Sequence, residues 1–95
     1  KNTQMTKYQE GLEKTKDFLR KTPEPQMREL CDQAGLTDKE TEMIVQKFRK
    51  GKTRLHSSYD LGMSESRHSI KMTLILNILK KVLVQLGFID ETFLK

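Results

Sequence analysis

Residues 51–71 read GKTRLHSSYDLGMSESRHSIK, and this stretch decides the fold that we predict. Its pattern is that of a short helix, a tight turn and the start of a longer helix. Thr53 can cap the first helix, and Ser64 or Ser66 can cap the second, because a hydroxyl oxygen accepts a hydrogen bond from an unpaired backbone N–H. Gly62 lies between them, where glycine permits a positive φ. Together these features predict a helix-turn-helix.

The net positive charge of the chain is concentrated in and just before this stretch. The 95 residues carry 18 Lys and Arg against 13 Asp and Glu, a net charge of +5. Residues 46–72 hold seven bases and two acids, so this segment accounts for the whole excess. A basic patch confined to one helical unit is typical of a surface that binds nucleic-acid phosphates. The alternative is a solvated face of a basic protein.

A longer pattern surrounds this stretch, between residues 36 and 86. It opens with LTDKE at residues 36–40, places LGMS at residues 61–64, eight residues after Thr53, and carries an apolar-Lys pair at residues 70–71. In these residues the chain resembles region four of bacterial sigma factors and the phage-encoded sigma-like regulators related to it. The resemblance implies a helix-turn-helix that binds promoter DNA, with RNA polymerase as a candidate second partner.

The helix that begins near Ser66 is the predicted recognition helix, whose first turns are expected to enter the major groove of double-stranded DNA. Arg67 and Lys71 lie four residues apart and so share a helix face. Arg67 is the first candidate for a base contact, because Arg can pair with two acceptors on guanine. Residues 52–54 are expected to hold phosphates and fix the register on DNA. The predicted DNA-binding residues are Lys50, Lys52, Thr53, Arg54, Ser64, Ser66, Arg67, His68 and Lys71.

The rest of the sequence predicts three further helices, so we expect an all-α domain of five helices. Residues 1–35 should form an N-terminal segment of two helices, and residues 36–95 the helix-turn-helix module, together one compact domain. The third helix begins at a capping box formed by Thr37 and Glu40. Residues 22–45 carry two bases and six acids. This acidic surface should face away from DNA, or else dock a basic partner.

The last helix, over residues 66–86, is apolar on more than one side. A helix of this kind is buried on two sides. The first helix is one candidate to cover the second side. A second copy of the chain is the other, and it gives a two-fold homodimer. The alternative function is therefore a protein-protein interaction or dimerisation module with an incidental basic patch. The predicted core-facing residues are Ile70, Leu74, Ile78, Leu79, Val82 and Leu86.

The sequence predicts no enzyme, cofactor or metal site. Cys31, His56 and His68 are the only Cys and His residues, too few for a structural zinc set, and both His are expected to touch solvent or phosphate. No glycine-rich phosphate loop or nucleophile elbow occurs. A lone Cys fits a reducing cytoplasm, and the polar residues within the last helix argue against a membrane span. We therefore predict a cytoplasmic transcription regulator of phage or bacterial type.

Overall fold

The computed structural model describes residues 6–94, with side chains as far as residue 92. It is all-helical, 75% of it in helices, with no strand in that range, which confirms the predicted fold class. A short 3-10 helix, Glu91–Leu94, follows the last α-helix. The five α-helices are Lys7–Arg20 (α1), Glu24–Gln33 (α2), Asp38–Phe48 (α3), Arg54–Asp60 (α4) and Glu65–Gln85 (α5).

Side-chain caps fix where α3, α4 and α5 begin. The Thr37 Oγ1 atom accepts a hydrogen bond from the Glu40 backbone N–H at 3.2 Å, and a Glu40 carboxylate oxygen accepts one from the Thr37 N–H at 2.9 Å. This is the predicted capping box, which satisfies two otherwise unpaired donors. Thr53 caps α4 and Ser64 caps α5. Ser66, the other predicted cap, therefore lies within the first turn of α5.

The core is organised around α5, which contacts each of the other four α-helices. Burial of apolar side chains at these contacts is the main favourable term for folding. Because α1 and α2 share this core with α3, α4 and α5, the two predicted segments form a single packed unit. The buried apolar residues are Leu19, Met27, Leu30, Cys31, Met43, Ile44, Val45, Met72, Ile75, Leu76, Leu79, Leu83 and Ile89.

The first helix covers one side of α5, as one of the two predicted alternatives had it. The Asn77 amide donates a hydrogen bond to the Tyr8 hydroxyl at 2.9 Å. The Lys80 ammonium lies 4.7 Å from the centre of the Tyr8 ring, although Lys80 is only 4% exposed. A cation over an aromatic face is attracted by the ring's quadrupole, and here it compensates in part for the burial of the lysine. The described helices include none long and apolar enough to cross a bilayer.

The orientation of α5 about its own axis differs from the prediction. Ile70 and Leu74 are 64% and 56% exposed, so the prediction that they face the core is wrong. It is also wrong for Ile78 and Leu86, which are 39% and 51% exposed. The buried stripe runs instead through Met72, Ile75, Leu76, Leu79 and Leu83. The face that bears Ile70 carries two cations, at residues 67 and 81, whereas the one cation of the buried face, Lys80, lies over the Tyr8 ring. Burying that face would place unpaired charges in the core, at a large cost.

Candidate nucleic-acid interface

A four-residue connection, residues 61–64, joins α4 to α5. Gly62 has φ +71°, the left-handed region that glycine adopts without steric cost. The Met63 N–H donates to the Ser58 carbonyl at 2.9 Å, which satisfies a carbonyl at the end of α4. Leu61 and Met63 pack against the core from this connection. The turn therefore holds the first turn of α5 at a fixed position beside α4.

Two of the predicted DNA-binding lysines are already paired with carboxylates. The Lys52 ammonium lies 2.5 Å from an Asp60 oxygen, and the hydrogen bond from Lys52 lowers the pKa of Asp60. The Lys71 ammonium lies 3.0 Å from a Glu40 oxygen. Glu40 belongs to the acidic segment 22–45, so this ion pair joins that segment to a predicted DNA-binding residue. Both pairs are partly buried, and the Glu40 side chain is only 17% exposed, so a phosphate must replace these attractions to bind either lysine.

The predicted DNA-binding residues lie on two different sides of α5. The Arg54 guanidinium donates to the Ser69 hydroxyl at 3.1 Å and lies 3.5 Å from a Glu65 oxygen, so Arg54 occupies one side. Arg67 precedes Ser69 by two residues, which places it about 200° away around a helix of 3.6 residues per turn. Arg67 is exposed on that other side together with Ile70. The predicted DNA-binding residues, expected to form one patch, therefore lie in two separate groups.

The predicted site residues on the outer surface differ in how free they are. Lys50, Ser66 and Arg67 are exposed, and neither Lys50 nor Arg67 has a carboxylate partner within the described range. The hydroxyls of Thr53 and Ser64 accept the capping hydrogen bonds of their helices. The side chains free to meet a new partner are therefore those of Lys50, Ser66 and Arg67.

His68 is buried, so the expectation that it touches solvent is wrong, and it does not lie on the outer surface of α5 with the other predicted DNA-binding residues. It is 4% exposed, and its Nε2 atom lies 3.1 Å from the Ser57 hydroxyl. That hydroxyl in turn donates to the Gln46 side-chain oxygen at 2.8 Å. Burial, followed by the positive charges of Lys47 and Arg54, lowers the pKa of His68. The cause of the error is the orientation of α5, which turns this position inward.

Cations from α1, α3 and α4 surround a cleft of about 350 Å³ beside α5. Two of them, Lys16 and Lys47, were not among the predicted site residues. Burial lowers the pKa of Lys47, and the nearby charges of Lys16, Arg20 and Arg54 lower it further. Lys16 lies far from α4 in sequence, so only the packing of α1 brings it here. The lining residues that can bear charge or donate hydrogen bonds are Lys16, Lys47, Lys52, Thr53, Arg54, Ser57, His68, Ser69 and Thr73.

An apolar stripe remains on the outside of α5. Ile70, Leu74 and Ile78 follow one another at four-residue spacing and are all exposed. On α4, Leu55 and Tyr59 are 63% and 83% exposed. Large apolar side chains that share a surface often mark a contact with another molecule. Ile70, Leu74 and Ile78 were predicted to lie in the core, so only the structure shows that they are exposed to solvent.

The described residues contain no cluster of three or more His, Cys, Asp or Glu side chains that could hold a metal ion. No protein-family profile, curated protein sequence or solved structure matches the chain.

Proposed function

We propose that this protein is a sequence-specific DNA-binding regulator of transcription that acts through α4 and α5 as a helix-turn-helix. The observation that carries the proposal is the free surface of the first turns of α5. Ser66, Arg67 and Ile70 are exposed there, directly after the turn at Gly62. In helix-turn-helix proteins the first turns of the second helix meet the base edges in the major groove.

In this proposal the exposed residues divide the work of recognition. Arg67 contacts a guanine, since its guanidinium can donate to both O6 and N7. Ile70, one turn further along the same face, meets the methyl group of a thymine, which apolar side chains contact favourably. Lys50 and Arg54 contact phosphates and set the position of the protein on DNA. Lys52 and Lys71 contribute less, because each must leave a carboxylate that lies closer, at 2.5 and 3.0 Å, than the Glu65 oxygen 3.5 Å from Arg54.

The resemblance to sigma region four adds RNA polymerase as the proposed second partner. The proposal also places the protein in the cytoplasm, where transcription occurs in bacteria. Cys31, a free and buried thiol, is compatible with a reducing compartment.

The proposal is tested by measuring affinity for a duplex selected from random DNA and for an unselected duplex, at several salt concentrations. Arg67→Ala should lower the preference for the selected duplex by about 1–3 kcal/mol, the usual worth of a bidentate base contact. Lys50→Ala should weaken both duplexes equally and reduce the salt slope by about one. Lys81→Ala is the matched control, since it removes an exposed charge about 21 Å along α5 from Arg67. Equal effects of all three changes on both duplexes would refute the proposal.

The second candidate is a protein-protein interaction or dimerisation module, and the exposed stripe of Ile70, Leu74 and Ile78 favours it. In this function the stripe packs against a partner helix, and a second copy of the chain gives a two-fold homodimer. Sedimentation of the wild type and of Leu74→Glu separates the candidates. Two results together would favour the module over the DNA-binding regulator. The wild type should form a dimer that Leu74→Glu dissociates, and the protein should bind no duplex at low salt.

A further inference from the structure

Four cations line the cleft between α1, α3, α4 and α5, and three of them pair with carboxylates outside its lining: Lys16 with Glu13, Lys52 with Asp60 and Arg54 with Glu65. Of the four, Lys47 has no carboxylate within ion-pair distance in the described range. The positive charges of Lys16 and Arg54 act on Lys47 and lower its pKa, so an anion that enters among these three side chains relieves their repulsion.

A second and independent feature of the cleft is an unpaired atom of His68, one of its lining residues. The Ser57 hydroxyl gives its hydrogen to Gln46, so its lone pair is left to accept the hydrogen on His68 Nε2. Nδ1 therefore carries the lone pair of the neutral ring. It is buried and has no partner, unlike every other buried side-chain nitrogen or oxygen in the described range. Such a buried group costs free energy until it is satisfied.

We propose that this cleft binds a phosphate group through Lys16, Lys47 and Arg54, and that His68 takes up a proton at Nδ1 when the anion is bound. Several cations around one space favour a ligand with more than one negative charge, as phosphates have. A volume of about 350 Å³ accommodates a phosphate with a small attached group.

The anion and the proton stabilise each other. The charged groups that line the cleft with His68 are Lys16 from α1, Lys47 from α3, Lys52 from the α3–α4 connection and Arg54 from α4, with Glu65 of α5 paired to Arg54. Of these, Lys47 and Arg54 act on His68 by their charge. An anion among these cations removes the repulsion that opposes a charged imidazole. By linkage, protonation of His68 must then strengthen the binding of the anion to the same degree.

The phosphate has two possible sources, the DNA backbone and a small phosphorylated molecule. The inference does not depend on the proposed function, because pyrophosphate alone should occupy the cleft. The α1 residue Lys16 lies outside the α4–α5 unit, so its replacement tests the cleft without touching the proposed base-reading residues.

The experiment titrates the full chain with pyrophosphate at constant ionic strength and follows the two histidine rings by nitrogen-15 NMR across pH 5–8. Pyrophosphate should raise the pKa of His68 and change the Nδ1 signal, while exposed His56 serves as the internal reference. Lys16→Gln and Lys47→Gln should each weaken binding about tenfold or more, the contribution of one charge-assisted hydrogen bond. Lys81→Gln, on the exposed face of α5, is the control and should bind as the wild type does.

A random duplex added to the pyrophosphate complex distinguishes the sources. Displacement of pyrophosphate, with weaker duplex binding by Lys16→Gln, identifies the DNA backbone as the source. If pyrophosphate stays bound when the duplex binds, or binds a protein that binds no duplex, the source is a small phosphorylated ligand. The second result would support this inference while contradicting the proposed DNA-binding function. Unchanged His68 signals at saturating pyrophosphate, or equal binding by the Lys16→Gln, Lys47→Gln and Lys81→Gln variants, would overturn the inference.

Discussion

Leu79 and Leu74 lie on the same helix and differ in burial, so replacing each with alanine tests which face of α5 the fold buries. Leu79 is 0% exposed, whereas Leu74 is 56% exposed. The apolar pattern alone assigns both to the core. The face that remains free is also the face on which the proposed DNA contacts, or the alternative partner contacts, depend. The orientation of α5 is therefore the first matter to establish by measurement.

The size of each effect follows from the burial. Leu→Ala removes three carbon atoms, worth about 2.4 kcal/mol when all are buried, at about 0.8 kcal/mol for each. At Leu79 the surrounding core cannot close fully around the deletion, and the cavity raises the loss to about 3 kcal/mol or more. At Leu74 about half of the contact is already with water and no closed cavity can form. The loss there should be at most about 1 kcal/mol.

Urea unfolding followed by far-ultraviolet circular dichroism measures both changes. With a urea m-value of about 1–3 kcal/mol per molar for a small domain, Leu79→Ala should lower the midpoint by about 1 M or more. Leu74→Ala should leave it nearly unchanged. The measurement is repeated at two protein concentrations, because a stripe buried in a dimer makes stability depend on concentration. A larger loss at Leu74 than at Leu79, at low concentration, would refute the orientation of α5.

Two further predictions concern titrating groups in α2 and α3. Burial raises the pKa of the Cys31 thiol to about 11. A thiol reagent at pH 8 should therefore modify Cys31 only as fast as the protein opens. A modification rate equal to that of a free peptide thiol would contradict the burial of Cys31. The backbone hydrogen bond from Thr37, together with Lys71, lowers the pKa of Glu40 in the folded protein. The charged Glu40 carboxylate therefore stabilises the fold above about pH 4.3, the pKa of an unfolded glutamate, and this stabilisation is lost as the pH falls through the lower folded pKa. The difference in unfolding free energy between the wild type and Glu40→Gln should accordingly narrow on acidification. Glu29→Gln, on the exposed surface of α2, is the control variant.

The helix boundaries were predictable because they depend on local chemistry. A hydroxyl on the residue that precedes a helix can accept a hydrogen bond from the N–H three residues on, whatever lies elsewhere in the chain, and this holds at Thr37, Thr53 and Ser64. The same is true of Gly62, since a left-handed turn favours glycine in any fold. The all-α class follows from these signals together with the apolar spacing.

The orientation of α5 and the composition of the cleft were not predictable in the same way. The apolar residues of α5 form two stripes, and both fit a period of 3.6. The exposed cations at residues 67 and 81 were the signal that separates the stripes, because they lie on the face of Ile70. His68 is buried because it lies on the side of α5 that faces the core when the face with Ile70 is exposed. The place of Lys16 in the cleft depends on how α1 packs on α5, which no local pattern encodes.

The measurement that tests the central claim most directly is an amide NMR titration of the labelled protein with duplex DNA at low salt. The account predicts that the largest shift changes occur at residues 64–71, with a second group at residues 50–54, and that they fade as salt is added. The absence of changes in both groups, or changes confined to α2, would contradict the assignment of α4 and α5 to DNA.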